Sequence, residues 1–277
     1  MKPIYYEKIC TTYAQLEAIF ATHAQICLFS SGGKDSLTLM HLLRPWQHSV
    51  TILHNDMDNG WPGVTQNLCA LAQDWGFSQP IITHPSLTID AYIAEFGYQT
   101  EMVPIEADTV IMPAAPYGDG SLRVSSFWHC ELVRCIMPLF QLALTLSPSA
   151  IVTGSRATDG PAFAAMGHRT TDAKEMWGFE RYNPLLEWNS AEIYAYIDAL
   201  GIPLPEHYQW KRLNGDKYQF PDCMRCTFAP EHWQLLKEHY PEVYQQYWPA
   251  TKTVYEALAL KQWNYTKRLM RVIIDNA

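Results

Sequence analysis

The sequence predicts an α/β fold, a doubly wound and mostly parallel sheet with a helical C-terminal extension. Two observations carry this reading. Short apolar runs alternate with helix-like segments from residue 25 onward, and one of those runs feeds directly into a Ser-Gly-Gly turn that opens a helix. A third feature sets the end of the sheet: the chain becomes loop-rich from Gly201 to Pro230 and reads as helix beyond it.

The elements follow in order. Tyr13 to His23 places Leu16, Ile19 and Phe20 on one helical face. Gln25 to Phe29 reads as a buried strand, and Leu37, Leu39, Met40, Leu42 and Leu43 then mark a compact helix that Pro45 ends. Ser49 to His54 predicts a second strand, Val64 to Trp75 a helix, and Pro80 to Thr83 a third strand. Phe127 to Leu146 is a long helical candidate, and Ala150 to Gly154 another buried strand. Ser190 to Leu200 reads as a helix with Ser190 as N-cap and Glu192 in its first turn.

Composition bounds the function. In 277 residues, 48% are hydrophobic and 17% charged, enough for a sizeable core. The net charge of −8 argues against general affinity for nucleic-acid backbones. The basic stretch Lys261 to Arg271 reads as an exposed helix face. The aromatic residues Trp233, Tyr240, Tyr244, Tyr247, Trp248 and Tyr255 recur at near-helical spacings, which favours core packing over base stacking. The first residues lack an apolar leader and no apolar run approaches the ~20 residues of a membrane span, so a soluble cytoplasmic protein with no membrane partner is expected. Seven cysteines without an export signal are expected as thiols, with clustered ones pointing to metal or redox chemistry.

Ser31-Gly32-Gly33-Lys34-Asp35-Ser36 carries the clearest chemistry. A glycine pair between strand and helix lets the backbone approach an anion, and the helix start supplies unpaired N–H groups. Ser31 and Ser36 add hydroxyls, and Lys34 a positive charge. Leu28 stands where a Walker A loop needs its first glycine, which excludes that motif.

This loop resembles the S-G-G-x-D-S signature of the PP-loop ATP pyrophosphatases, whose fold is adenine nucleotide alpha hydrolase-like and Rossmann-like. The resemblance implies ATP bound with Mg²⁺, cleavage between the α and β phosphates, and an adenylated intermediate. Further segments look like the phosphoadenosine phosphosulfate (PAPS) reductase-like branch. Leu53-His54-Asn55-Asp56 with Trp61-Pro62 is similar to its second strand and "D-T-G-x-x-F-P" turn. Thr153-Gly154-Ser155-Arg156 with Asp159 looks like its "G-x-R-x-x-E-S" element. Asn183 to Asn189 followed by Glu192-Ile193-Tyr194 looks like "N-P-L-x-x-W-T-x-x-D-I-W", and Gly201-Ile202-Pro203 like its continuation. The complete loop favours ATP over an adenylylsulfate. The resemblance implies a nucleotide-binding domain over residues 1–205 and a cysteine-bearing loop with a helical region over 206–277.

In this reading residues Ser31 to Ser36, Gly154 and Arg156 bind the nucleotide, and Lys34, Asp35, Asp56 and Arg156 serve the reaction. Asp56 or Asp35 would organise Mg²⁺ and Arg156 would face developing phosphate charge. A turn-capping role for Asp56 and a surface ion pair for Arg156 stay open.

Cys223-Met224-Arg225-Cys226-Thr227 presents two thiols from one loop. Cys130 to Cys135, followed by Pro138-Leu139, resembles the "C-C-x-x-R-K-x-x-P-L" element of iron–sulfur adenylylsulfate reductases, with Glu131 replacing the second cysteine. Cys130, Cys223 and Cys226 are the leading ligand candidates. Cys135 joins them only if its helix is irregular, because an ideal helix puts it about 140° around the axis from Cys130. A [4Fe–4S] cluster, a Zn²⁺ site and plain thiols are all open. The reductases carry a later nucleophilic cysteine, and none follows Cys226 here. That departure points to adenylation of an acceptor followed by sulfur transfer, similar to the enzymes of DNA phosphorothioation and tRNA thiolation. The implied partners are an adenine nucleotide, an acceptor reached through small-molecule, protein or partner-borne nucleic-acid contacts, and a sulfur donor such as a cysteine desulfurase. Sulfonucleotide reduction through a non-standard cysteine, a sulfurylase small-subunit role and a nucleotide sensor are the alternatives.

Overall fold

The computed structural model describes residues 3–97, 102–105, 115–116, 121–159, 167–170, 178–211, 224 and 230–260. The chain divides into two compact units: Met1–Thr88 with Glu131–Tyr208, and Ile89–Cys130 with Gln209–Ala277. The sequence reading placed a single division between residues 205 and 206. The structure groups the internal segment Ile89–Cys130 with the C-terminal part of the chain.

The first unit holds a six-stranded sheet. Its elements are α1 (Pro3–Thr22), β1 (Ile26–Phe29), α2 (Lys34–Leu42), β2 (Val50–Asn55), α3 (Val64–Asp74) and β3 (Ile81–Thr83). After the excursion into the second unit, the strands β7 (Ala150–Thr153), β8 (Arg169–Thr170) and β9 (Glu180–Tyr182) complete the sheet. The order is β3-β2-β1-β7-β9-β8, parallel except for the last pair. The chain steps from β1 outward through β2 and β3, then returns to β7 on the other side of β1. The order therefore reverses between β1 and β7, where the carboxyl ends of an open α/β sheet leave a crevice for a ligand.

Strand alternation explains why β1 is apolar throughout. Ile26 and Leu28 pack into a core with Leu16, Leu37, Met40, Trp188 and Ile193, whereas Cys27 packs on the other face with Phe140, Ile151 and Phe179. The helix α7 (Ser190–Leu200) covers the first face and ends at Gly201, whose φ of 63° is the left-handed turn that glycine adopts freely. Its cap differs from expectation. Asn189, rather than Ser190, is the N-cap: its side chain accepts from Glu192 N, and Glu192 Oε2 accepts from Asn189 N, a reciprocal box. Ser190 is thereby released for another contact described below.

The second unit contains α4 (Ile89–Phe96), the antiparallel strands β4 (Met102–Ile105), β5 (Ala115–Pro116) and β6 (Leu122–Ser125), and α5 (Ser126–Cys130). It also contains α9 (Pro230–His239) and α10 (Pro241–Leu260), while α8 (His207–Lys211) lies at the boundary. Trp233, Tyr247, Trp248 and Tyr255 are buried between α9 and α10, with Trp233 and Trp248 ring centroids 5.1 Å apart. This is the core packing their spacing predicted. The Lys261 to Arg271 stretch lies outside the described residues.

The expected long helix after Phe127 is broken by geometry. Between α5 and α6 (Met137–Leu146) the segment Glu131–Ile136 is π-helical. The stretch Trp128–Leu146 is long and apolar enough to cross a bilayer by length and composition alone. Arg134 within it is buried, however, and bonds Asp58, Asn59 Oδ1 and the Leu87 carbonyl, so this part packs against protein.

Candidate functional site

The loop after β1 sits at the reversal point of the sheet. Gly32 has φ of 73°, a conformation open to glycine, and an added Cβ would stand 2.4 Å from Val64 Cγ1. Gly33 is the N-cap of α2 with extended backbone, and Ser36 Oγ donates to its carbonyl at 3.0 Å. Three consecutive amides at this turn meet hydroxyl oxygens: Gly32 N donates to Ser30 Oγ at 3.2 Å, Gly33 N to Ser31 Oγ at 3.3 Å, and Lys34 N to Tyr208 Oη at 3.1 Å. These N–H groups at the start of α2 are each met by a hydroxyl oxygen of the protein.

The loop after β7 abuts the loop after β1. A Cβ on Gly154 would lie 2.9 Å from Asp35 C and 3.0 Å from Ser36 N, so only glycine lets the two backbones approach this closely. Arg156 follows and is 1% exposed. Its Nε lies 3.0 Å from Asp35 Oδ1, Nη2 donates to Asp159 Oδ1 at 2.7 Å, and Nη1 donates to Ser190 Oγ at 2.7 Å. Asp159 Oδ2 also accepts from Arg156 N at 2.7 Å. The planar fork thus joins α2, the β7 loop and the start of α7. Lys34 Nζ donates to the other Asp35 oxygen at 2.6 Å and lies 5.9 Å from the Tyr194 ring centroid.

At the end of β2, His54 is buried. Its Nδ1 donates to the Ser30 carbonyl at 2.8 Å and its Nε2 lies 2.9 Å from Thr65 Oγ1, which donates to Asp56 Oδ1 at 2.7 Å. Burial lowers the His54 pKa, opposed by the Ser30 bond and the Asp56 carboxylate. Asp56 is thereby tied to the phosphate loop through Thr65 and His54.

The family of the phosphoadenosine phosphosulfate reductase domain matches residues 25–227, most of the chain. This chain belongs to the PAPS reductase family. Two adenosine 5'-phosphosulfate reductases are similar to it: that of Burkholderia cepacia is 27% identical over 143 residues, 51% of this chain and 53% of its own length. That of Allochromatium vinosum is 30% identical over 143 residues, 51% of this chain and 52% of its own length. The chain thus spans about half the length of the curated relatives it matches. The crystal structure of phosphoadenylyl-sulfate reductase from Candida auris superposes with a TM-score of 0.50 at 15% identity, covering 72% of this chain and 84% of that one, a likeness of fold.

For this PAPS reductase-family chain, the structure brings together Ser31, Gly32, Gly33, Lys34, Asp35, Ser36, Gly154 and Arg156, with Asp56 linked through His54. It gives Arg156 a different setting from the sequence expectation. The guanidinium is paired with two carboxylates of the protein, and the ion pairs are buried at the arginine rather than on the surface. The residues missed by the sequence reading are Thr65, Ser190 and Tyr208. Nothing local marks Ser190 and Tyr208, which reach their partners from helices farther along the chain, whereas Thr65 stands only nine residues after Asp56, at the start of α3.

The cysteine candidates divide. Cys223 and Cys226 lie outside the described residues. Cys130 ends α5, and Cys135 stands in the π-helical turn, the irregularity on which its candidacy depended, with Sγ 3.1 Å from Met57 Sδ. Among the described residues no group of three or more His, Cys, Asp and Glu side chains is placed to hold a metal ion.

Proposed function

We propose that the chain binds ATP at the loop from Ser31 to Ser36, cleaves it to AMP and pyrophosphate, and activates an acceptor by adenylation for sulfur transfer. The observation that carries this reading is the run of three amides, Gly32 to Lys34, presented to oxygen acceptors at the reversal point of a parallel sheet. These amides and the α2 N-terminus receive the β and γ phosphates, with Lys34 leaving Asp35 to meet them. An acceptor oxygen attacks the α-phosphorus, the bond to the β-bridging oxygen breaks, and pyrophosphate leaves with that electron pair. A sulfur nucleophile then displaces AMP from the activated acceptor.

Arg156 acts in this scheme by holding Asp35 and the β7 loop in place, since its Nη atoms bond Asp159 and Ser190 and its guanidinium is ion-paired with Asp35. Asp56 would hold Mg²⁺: its carboxylate fits a hard cation, whereas Asp35 already meets two protein cations. The bound ion supplies neutralisation of phosphate charge. Cys130, Cys135, Cys223 and Cys226 are proposed as the sulfur-handling set, as a [4Fe–4S] cluster with Zn²⁺ as the alternative; thiolate sulfurs with the Met57 thioether beside Cys135 make a soft donor group suited to iron. The acceptor in this scheme is a small molecule, a protein or a nucleic acid carried by a partner protein, and a cysteine desulfurase is a suitable sulfur source.

Pyrophosphate release from ATP and Mg²⁺ is the test. A metal-replete protein that neither binds nor cleaves ATP overturns the proposal. The names of the two curated relatives favour a second reading, sulfonucleotide reduction with Cys223 or Cys226 as nucleophile. Thiol-dependent sulfite release from an adenylylsulfate, without pyrophosphate release from ATP, would select it.

A further inference from the structure

Three arginines of the first unit are drawn into the protein, and two of them meet carboxylates: Arg134 meets Asp58, and Arg156 meets Asp35 and Asp159. Arg181 does not. It lies in β9 between Glu180 and Tyr182, whose side chains turn together toward His23, with Tyr182 Oη 2.5 Å from Glu180 Oε2 and 3.0 Å from His23 Nε2. Strand alternation sends Arg181 to the opposite face. There its Nη2 donates to Ser155 Oγ at 3.1 Å and Thr153 Oγ1 at 3.3 Å, both neutral acceptors. Its Nε is buried with no acceptor. Burial lowers its pKa to about 10, with no acidic group opposing the shift, so the side chain is still a cation at neutral pH.

A half-buried guanidinium whose Nε is cut off from water and whose partners are only hydroxyls is unfavourable unless something else compensates its charge. Its location says what that is. Thr153 and Ser155 flank Gly154, whose backbone packs on Asp35 and Ser36 at the start of α2. The hydroxyl proton of Thr153 goes to Asn183 Oδ1 at 2.8 Å, so Ser155 Oγ donates to Thr153 Oγ1 at 2.9 Å, a bond that a ligand oxygen would replace. The spare donor on this side is Arg181 Nε, at the carboxyl edge of the sheet beside Gly154, whereas Asp35 Oδ1 on the other side of Gly154 is faced by the Arg156 guanidinium.

We propose that Arg181 and Ser155 form a second anion subsite, across Gly154 from the phosphate loop, that binds a tetrahedral oxyanion. The oxyanion is either the α-phosphate of the nucleotide or a sulfate-type group brought by the other substrate. This rests on the nucleotide reading above and extends it: the loop takes the pyrophosphate end and Arg181 takes the oxyanion beside it. Arg181 then has a stability signature opposite to that of Arg156, because its removal relieves an uncompensated cation instead of breaking ion pairs with two carboxylates.

Calorimetric titration of wild type, R181Q and R181K with AMP, inorganic sulfate and pyrophosphate tests this, alongside thermal melts of the ligand-free proteins. R181Q is expected to melt at or above the wild-type temperature, to keep pyrophosphate affinity within about twofold, and to lose about tenfold or more in affinity for AMP or sulfate, with partial recovery in R181K. A loss in the AMP arm assigns the site to the α-phosphate, and a loss confined to sulfate assigns it to the other substrate. A folded R181Q that binds AMP and sulfate like wild type overturns the proposal. So does a wild type that binds neither, or an R181Q that melts lower with binding intact. ATP turnover is scored separately. Pyrophosphate release unaffected by R181Q, with both binding arms unchanged, keeps the proposed function and removes this inference. Arg181-dependent oxyanion binding without turnover does the reverse.

Discussion

Arg156 Nε stands 3.0 Å from Asp35 Oδ1, joining the loop after β7 to the first turn of α2 across the point where the strand order reverses. Lys34 Nζ holds the other oxygen of the same carboxylate at 2.6 Å. The charged residues of the loop are thus ordered by a residue more than a hundred positions later in the chain.

Replacing Arg156 with Ala removes the side-chain partner of Asp159, leaves Asp35 with Lys34 alone, and leaves Ser190 without its donor. The expected loss is about 2–4 kcal/mol of stability, toward the low end because both carboxylates keep some access to water. R156K, lacking the fork, is expected to recover less than half of it. Denaturant unfolding measures both, and a variant as stable as wild type would show that the guanidinium is not the tie described here.

Gly154→Ala adds a methyl group 2.9 Å from Asp35 C, against backbone that cannot swing aside. The β7 loop and α2 must separate, at a cost of about 1–3 kcal/mol. Nucleotide affinity is expected to fall with it, because the phosphate loop starts the displaced helix. Ligand titration of folded G154A checks this; unchanged affinity would uncouple Gly154 from the loop.

Tyr208 Oη occupies the acceptor position at Lys34 N. Y208F removes that acceptor and one hydrogen bond, worth about 1 kcal/mol. The amide is then free for an incoming anion, so pyrophosphate affinity is expected to stay level or rise. A clear fall in affinity would instead make the phenol a contact of the ligand.

His41 supplies the pH dependence. Burial and the Arg44 charge lower its pKa to about 4, and its Nε2 accepts from Arg44 while Nδ1 donates to Tyr196 Oη at 2.8 Å. The unfolded imidazole, near pKa 6.5, binds the proton first as pH falls. Its contribution to stability is therefore complete above about pH 6.5 and is lost as pH falls toward 4. Melts of H41Q are expected to show a shallower acid slope over this window than wild type, and NMR titration of the imidazole locates the midpoint directly.

Cys27 and Cys10 offer a simple contrast. Burial raises the Cys27 pKa to about 11, whereas Cys10 is exposed. Alkylation at neutral pH is expected to modify Cys10 in the native protein and Cys27 only after unfolding. Native labelling of Cys27 would mean that the strand β1 opens more readily than its packing implies.

Much of the sheet was legible because its signals are local. The apolar runs at β1, β2 and β7 and the helix Ser190–Leu200 lie within a residue or two of expectation. The small antiparallel strands β4 to β6 carry too few residues to show a period, and the π-helical turn at Glu131–Ile136 depends on where Arg134 must reach to bond Asp58 and the Leu87 carbonyl. The cap at Asn189 shows the same limit on a smaller scale: Ser190 is an equally good cap by type, and its contact with Arg156 accompanies the choice of Asn189.

The sequence by itself determined the parallel α/β plan, the strand-turn-helix loop from Ser31 to Ser36 and the family, since a strand, a glycine pair and a helix start are properties of neighbouring residues. Only the tertiary structure decided what the charges do. Arg156 is spent on Asp35 and Asp159, while Arg181 keeps its charge without a carboxylate, and no spacing in the chain distinguishes them. The reason is physical: the state and role of a charge depend on the partners and the water left around it, and both are set by segments that the fold brings from far along the chain.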